Sequence, residues 1–493
     1  MAAGIAAHAE SGPRLREKFN QGWLFERQAT GSGALGSFDR DTTAAARIEP
    51  RFRDAMQPSY DDSSWQHIAL PHTWNSQDTM DAIAGYWRGI GWYRKHFMLD
   101  PKFSGKSIFL EFEGANQVSE FWLNGAHVGI HKGGYASFKL DITPYVHFGG
   151  AGNVLTVRVD NLYHSTIPPT VKTDYNFYGG IYRNVWLRIN NPVHLTDVHW
   201  TTPAVDAHSA ELHLHSTVTN ATSADQQFSI RHEIVDPAGR IVATLTQHVS
   251  AAAGASATID QSADLKNPEL WSPDTPNVYT IHSTLRQGGR TIDDLENPLG
   301  FRWYRFDPQK GFFLNGNRVE IQGVNWHQSY PGMGDALPDS RQWKDMQLIR
   351  DMGANFWRTS HYPHAPVTMD ASDRLGLLVW EELPVNKEIG QPDEYIENAY
   401  ELAREMIARD RNHPSVIVWG LAGEVNAPEA IAQRVVAAVA KAYRHFDPTR
   451  PVAMHEPRGE AIEALVDVIG LGAGKETDEK HERFSNRAYM TAE

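Results

Sequence analysis

From about residue 312 onward, strand-like and helical patterns take turns, and that alternation limits the fold more than any other feature of the chain. The strand-like runs are Val319 to Val324, Phe356 to Ser360, Leu377 to Trp380, Val416 to Trp419, Pro451 to His455, Val466 to Leu471 and Tyr489 to Glu493. Between them the spacing predicts helices over Asp339 to Met352, Thr368 to Leu375, Glu394 to Arg411, Glu429 to His445 and, briefly, Ala461 to Leu465. Repeated βα units imply a parallel sheet covered by helices. The run Val416-Ile417-Val418 agrees, because consecutive β-branched residues suit a strand buried on both faces. Pro414 stops the helical pattern before it. This strand is expected to close in a small-residue turn, Ala422-Gly423, followed by Glu424. Seven such strands are one short of the eight that close a barrel.

Reactive side chains collect at the strand ends. Strand one ends in Asn325-Trp326-His327-Gln328, strand two in Arg358-Thr359-Ser360-His361-Tyr362, and strand three in Glu381-Glu382. Strand four ends in Glu424, strand five in His455-Glu456, and strand seven in Glu493. Barrels of this kind carry their sites at the C-terminal ends of the strands. One of these side chains alone reads equally well as an ordinary surface or structural group. Two carboxylates on different strands suit glycoside hydrolysis, in which one donates a proton to the leaving oxygen and the other, ionised, attacks the anomeric carbon.

Upstream the period changes. Residues from about 15 to 190 read as β-structure, with near-alternation over Ser107 to Glu113 and Val154 to Asp160. Asn124-Gly125 marks a tight hairpin, and Gly133-Gly134 and Gly179-Gly180 add breaks. Many short strands with turn signals predict a jelly-roll sandwich. The next hundred or so residues are richer in Thr, Ser, Ala and His, with strand-like runs over Glu211 to Val218, Gln227 to Val235 and Val278 to Leu285. They fit an immunoglobulin-like sandwich without its disulfide. The expected organisation is a tail over 1–14, a jelly-roll domain over 15–190, an immunoglobulin-like domain over 191–305 and the incomplete barrel over 306–493. A chain of 493 residues has room for these three domains.

Composition excludes several classes. There is no cysteine, so disulfides, thiolate metal sites and cysteine nucleophiles are ruled out. A net charge of −14 without a basic block argues against nucleic acid and anionic membranes as partners. No apolar run approaches the roughly 20 residues of a membrane span. Ala7-His8-Ala9 has the small-x-small look of a signal cleavage site, but the segment before it lacks a basic region and reads more readily as a tail. The compartment stays open between cytoplasm and the periplasm or exterior of a bacterium.

Several stretches go further together than any does alone. They are F-N-Q-G-W at Phe19 to Trp23, L-P-H-T-W at Leu70 to Trp74, G-W-Y-R-K at Gly91 to Lys95, N-G-A-H-V-G at Asn124 to Gly129 and G-G-I-Y-R at Gly179 to Arg183. L-W-S-P-D-T-P-N-V-Y follows at Leu270 to Tyr279, then F-F-L-N-G from Phe312, I-Q-G-V-N-W-H-Q from Ile321 and M-G-A-N-F-W-R-T-S-H-Y-P from Met352. In these, from about residue 17 to the end, the chain resembles glycoside hydrolase family 2, the β-galactosidase, β-glucuronidase and β-mannosidase family. The resemblance places Glu424 at the acid/base position. The segment His481 to Glu493 resembles the one that leads to the nucleophile, which makes Glu493 that nucleophile. His327, Arg358 and His361 match positions lining the sugar site, and Glu382, His455 and Trp326 stand at the same strand ends and are counted with them. Arg358 either orients the nucleophile, its charge favouring the carboxylate, or closes a structural ion pair. His361 either meets sugar hydroxyls or satisfies a neighbouring carbonyl. Trp326 and Trp419 either stack on a sugar or pack the barrel, with Trp419 more in keeping with the core.

The resemblance implies an exo-acting retaining β-glycosidase working by double displacement through a glycosyl-enzyme. Gln328 and Gly332 to Leu337, together with the lack of an Asn-x-Lys pattern, point toward terminal β-galactosides. β-Glucuronidase and β-mannosidase are the alternatives, as is a catalytically impaired carbohydrate-binding fragment. The chain departs from the family in three places. Gly423 stands where the family has an Asn that bonds the sugar 2-hydroxyl. Gly470 to Gly474 replaces the usual end of strand six. The eighth strand and helix are lacking, which leaves two parallel edges unpaired and reads as a truncation. A carbohydrate is the expected partner. No cofactor is required, although Mg²⁺ or Na⁺ near the acid/base residue stays open, as does a homo-oligomer. Hard cations need several oxygen ligands, and the sequence does not name a complete set.

Overall fold

The strand Val118–Leu123 shows how the first third of the chain is built: its side chains alternate between half-buried and buried, the period-two pattern of a sheet with one face on a core. It turns back into Ala126–Lys132 through Asn124 and Gly125, whose φ values of 55° and 84° bring Leu123 opposite Ala126. Two left-handed residues in a two-residue loop match the twist of the strands they join. The computed structural model describes residues 12–34, 45–77, 79–80, 85–170, 175–472 and 486–493. Most of the expected tail and the stretch from Ala473 to Ser485 therefore lie outside the described residues.

The chain divides into two compact units. The first comprises residues up to Asn190 with Gln328–Arg341 and Asp393–Asn398. Its six-stranded antiparallel sheet runs in the order Gln66–Ile68, Trp23–Ala34, Gly85–Phe97, Asn153–Asp160, Val118–Leu123, Ala126–Lys132. A four-stranded sheet runs Leu15–Lys18, Val185–Asn190, Ser107–Phe112, Phe138–Asp141. Trp23, Phe97, Phe112, Phe121 and Leu187 belong to one core supplied by both sheets, the arrangement of a β-sandwich.

The second unit comprises Asn191–His327, Gln342–Pro392 and Ala399–Glu493. It opens with a three-stranded sheet (Val193–Val205, Ser209–Asn220, Ser256–Lys266) and a four-stranded one (Ile241–Ala251, Gln226–Val235, Tyr279–Gln287, Arg290–Leu299). Leu212, Leu214, Ile234 and Ile281 face one another in its core. A small antiparallel sheet of Tyr304–Asp307, Gly311–Leu314 and Asn317–Arg318 then leads into the barrel strands.

Those strands form one parallel sheet in chain order: β1 (Gly323–Asn325), β2 (Phe356–Arg358), β3 (Leu378–Glu382), β4 (Val416–Gly423), β5 (Val452–His455), β6 (Val468–Leu471) and β7 (Ala488–Thr491). The helices are α1 (Asp339–Asp351), α2 (Pro366–Leu375), α3 (Pro392–Asp410), α4 (Glu429–Phe446) and the one-turn α5 (Glu460–Glu463). The alternation expected from the sequence is present. The bounds of every strand differ from expectation by a residue or more, and at three strands the difference bears on the site. Residues Val319 to Gln322 do not join the sheet: Val319 and Ile321 pack instead against its core. β1 is confined to three residues, beginning at Gly323, where any Cβ would lie 2.1 Å from the Phe356 carbonyl oxygen. β4 does not turn at Ala422-Gly423 but runs on through Gly423 with all eight residues buried. β7 ends at Thr491, so Glu493 lies just past the strand; the Ala492 amide still donates to the Leu471 carbonyl at 2.8 Å.

The start of β4 is held from two sides. Arg302 Nη2 donates to the Val416 carbonyl at 2.7 Å and its Nε to that of Pro414. Arg450 donates from Nε to the same Val416 oxygen at 2.8 Å and from Nη2 to His413 at 2.9 Å. Carbonyls that a strand cannot satisfy at its first residues are thus met by buried guanidinium groups.

Candidate active site

Arg358 and Glu382 are the last residues of β2 and β3, which register places side by side through the Arg358 and Trp380 pairing. Both are buried, Arg358 completely. Arg358 Nε and Nη2 donate to the two oxygens of Glu382 at 2.9 and 2.8 Å, the fork geometry that suits a guanidinium and a carboxylate. Trp380 Nε1 donates to Glu382 Oε2 at 2.7 Å, and His361 Nδ1 lies 2.9 Å from Oε1. Burial pushes the Glu382 carboxyl up, but the charge of Arg358 and the hydrogen bonds from His361 and Arg358 outweigh it and hold the group down to about 2. The pair is a fixed floor of charge. Glu381, one residue earlier on β3, faces the other way and meets Arg409 of α3 at 3.1 Å. Successive strand residues point to opposite faces, so only Glu382 of the two belongs to this end.

Glu493 stands over that floor. Its Oε1 lies 3.5 Å from Arg358 Nη1 and 3.6 Å from His361 Nε2, and its Oε2 is 3.6 Å from His455 Nε2. Its side chain is 38% exposed, whereas those around it are buried. His455 ends β5; burial, then the charge of Arg358, depress its imidazole to about 4, so it is neutral near pH 7. Neither of its ring nitrogens has a hydrogen-bond partner among the described residues. An unpaired buried donor and acceptor is costly unless something else supplies the bond.

Glu424 follows β4 directly. Its amide donates to the His455 carbonyl at 3.1 Å, and its carboxylate Oε2 is 3.1 Å from the ammonium of Lys387. Gly423 before it faces the same end: a Cβ there would meet Arg358 Nη2 at 3.4 Å and His455 at 3.9 Å, ordinary contacts. Glu424, Lys387 and Glu456 all carry a left-handed backbone, with φ of 47°, 57° and 47°. Among the described residues the other non-glycine positions that do so are asparagines, Asn124, Asn267 and Asn315, which tolerate it. Left-handed charged residues after β3, β4 and β5 mark strain gathered where the reactive groups are.

The remaining expected residues sort themselves. His327 lies with its ring centroid 5.5 Å from that of His361, so it joins the group. Trp326 packs edge-on to Trp357 and against His364, at 5.9 and 5.0 Å. Trp419 is core: it is fully buried and donates to Asp447 at 2.9 Å. Gln328 belongs to the first unit, fully buried, its Oε1 accepting from Arg183 at 2.7 Å. Lys387 was not singled out from the sequence; its signal was its place five residues after the strand-three carboxylates, in a loop bridged to β4 through Asn386 and Gly423. No group of three or more acidic or histidine side chains among the described residues is placed to hold a metal ion.

Three profiles of one family match the chain in succession: the sugar binding domain of glycosyl hydrolases family 2 over residues 39–192, the family's middle domain over 193–302 and its TIM barrel domain over 308–490. A protein of Formosa agariphila named putative beta-glucuronidase is 35% identical over 412 residues, which is 84% of this chain and 46% of that protein. A beta-galactosidase of Thermoanaerobacter pseudethanolicus is 35% identical over 377 residues, 76% of this chain and 50% of that one. The solved structure of a Bacteroides uniformis beta-glucuronidase matches with a TM-score of 0.86 at 30% identity, over 97% of this chain and 58% of its own. The chain thus spans about half the length of these curated relatives.

Proposed function

The chain belongs to glycoside hydrolase family 2, and from that premise we propose that it is an exo-acting retaining β-glycosidase with Glu493 as nucleophile and Glu424 as acid/base. The observation that carries this reading is the exposed Glu493 carboxylate held at 3.5–3.6 Å from Arg358, His361 and His455. A nucleophile has to be held in place and yet be reachable by the anomeric carbon, and Glu493 is held by one guanidinium and two imidazoles while its side chain stays 38% exposed. Glu493 attacks the anomeric carbon while the bond to the leaving oxygen breaks and Glu424 gives that oxygen its proton. Water then attacks the same carbon, Glu424 takes the water's proton, and Glu493 departs as carboxylate. His455 and His361 supply hydrogen bonds to the hydroxyls of the bound sugar.

The glycone is galactose or glucuronic acid. The relatives' names divide between the two. Gly423 supports a second reading, in which sugar binds but turns over poorly. Nitrophenyl β-galactoside and β-glucuronide assays decide between glycones. A 2-deoxy-2-fluoro glycoside of the better one is expected to leave its sugar on Glu493, located by peptide mass spectrometry, and Glu424→Gln is expected to lose activity on poor leaving groups. Turnover with the label on another residue would overturn the roles; saturable binding without turnover or label would establish the second reading.

A further inference from the structure

Lys387 is placed by its main chain. Its amide donates to the Gly423 carbonyl at 3.3 Å, its own carbonyl accepts from the Asn426 amide at 2.5 Å, and the Gly423 amide donates to Val385 at 3.0 Å. The loop after β3 is therefore tied to β4 on both sides of Glu424. Lys387 holds a left-handed φ of 57° there, a conformation in which glycine or asparagine is the easier choice. The strain is kept at a position that sets an ammonium 3.1 Å from the Glu424 carboxylate. Its side chain is 29% exposed, unlike the sealed Arg358.

We infer that Lys387 is a specificity-determining residue, reading a carboxylate or sulfate on the sugar that leaves. This rests on the proposed role of Glu424. An acid that protonates the glycosidic oxygen stands within hydrogen-bond distance of it, and the leaving sugar hangs from that oxygen. An ammonium one hydrogen bond beyond the acid is within reach of that sugar's ring substituents. A flexible four-carbon stem with a compact charge can swing from Glu424 to an anion on the ligand. A neutral sugar leaves the ammonium on Glu424, occupying an oxygen of the group that has to donate. An acidic sugar draws the ammonium away, so the chain discriminates by which partner Lys387 keeps.

The test compares kcat/KM for two disaccharides with the same glycone, one whose reducing-end sugar is a uronic acid and one whose reducing-end sugar is neutral. The protein, Lys387→Met and Lys387→Arg are assayed side by side. The acidic disaccharide is expected to be preferred by about tenfold or more, as for one charge-assisted bond, with the preference falling as salt rises. Lys387→Met is expected to lose the preference and Lys387→Arg to keep most of it. Equal preference in the protein and Lys387→Met would overturn the inference. Should no glycoside be turned over, the proposed function fails separately, and calorimetry with methyl glucuronide against methyl glucoside takes over. A Lys387-dependent gain in affinity for the acid then supports the inference, and an equal affinity in the Met variant refutes it.

Discussion

At Gly423 the chain carries no side chain where its resemblance to the family implies an asparagine. The backbone there is not left-handed and a Cβ meets nothing closer than 3.4 Å, so a side chain can start there without moving Arg358 or His455. Gly423→Asn is expected to raise kcat/KM by about tenfold, the worth of roughly 1.4 kcal/mol of transition-state hydrogen bonding to the sugar 2-hydroxyl. The gain should vanish on the matching 2-deoxy glycoside; an equal gain on both substrates would refute the assignment. The same scale explains why the sequence, though it counts Glu382 with the site, does not fix the roles of Glu381 and Glu382. Which of two adjacent carboxylates faces Arg358 depends on strand phase, and the short run before them did not fix it.

Among the elements, β4 depends on groups outside itself. Removing the Arg302 guanidinium by Arg302→Met leaves the Pro414 carbonyl without that donor and Val416 with only Arg450. A loss of about 1–3 kcal/mol is expected from buried acceptors left short, read as a lower midpoint in urea, and an unchanged midpoint would show that the clamp is redundant. The helices α1 to α4 were legible because a 3.6-residue period repeats several times over each of them. β1 was not, because Val319 and Ile321 carry a strand's alternation while spending it on the sheet's edge core. The end of β4 was misread because glycine and alanine look like a turn, whereas Gly420 is small to admit Trp380, whose Nε1 a Cβ would meet at 2.2 Å. The loop after β3 offered no periodicity at all, and Lys387 became visible only once that loop was seen bridged to β4.

Across the whole molecule, buried and half-buried histidines set opposing limits on pH. Burial depresses His72 and His232 to about 4 from an ordinary 6.5, and His455 behaves alike. Their neutral native forms contribute stability that is full above about 6.5 and is lost as pH falls through 4. Burial presses His413 down too, but the carboxylate of Asp373, 2.6 Å from its Nδ1, carries it up to about 9. Its contribution is full below about 6.5 and is lost as pH rises through 9. The melting temperature is therefore expected to peak near pH 6.5 and to fall on both sides, the alkaline fall shrinking in His413→Gln. A flat profile from pH 4 to 9 would contradict these assignments. The fork between Arg358 and Glu382 closes within a short contiguous stretch of β2 and β3. During synthesis both partners of that fork leave the ribosome more than a hundred residues ahead of Glu493, so the charges that receive this carboxylate are in the chain before the carboxylate itself.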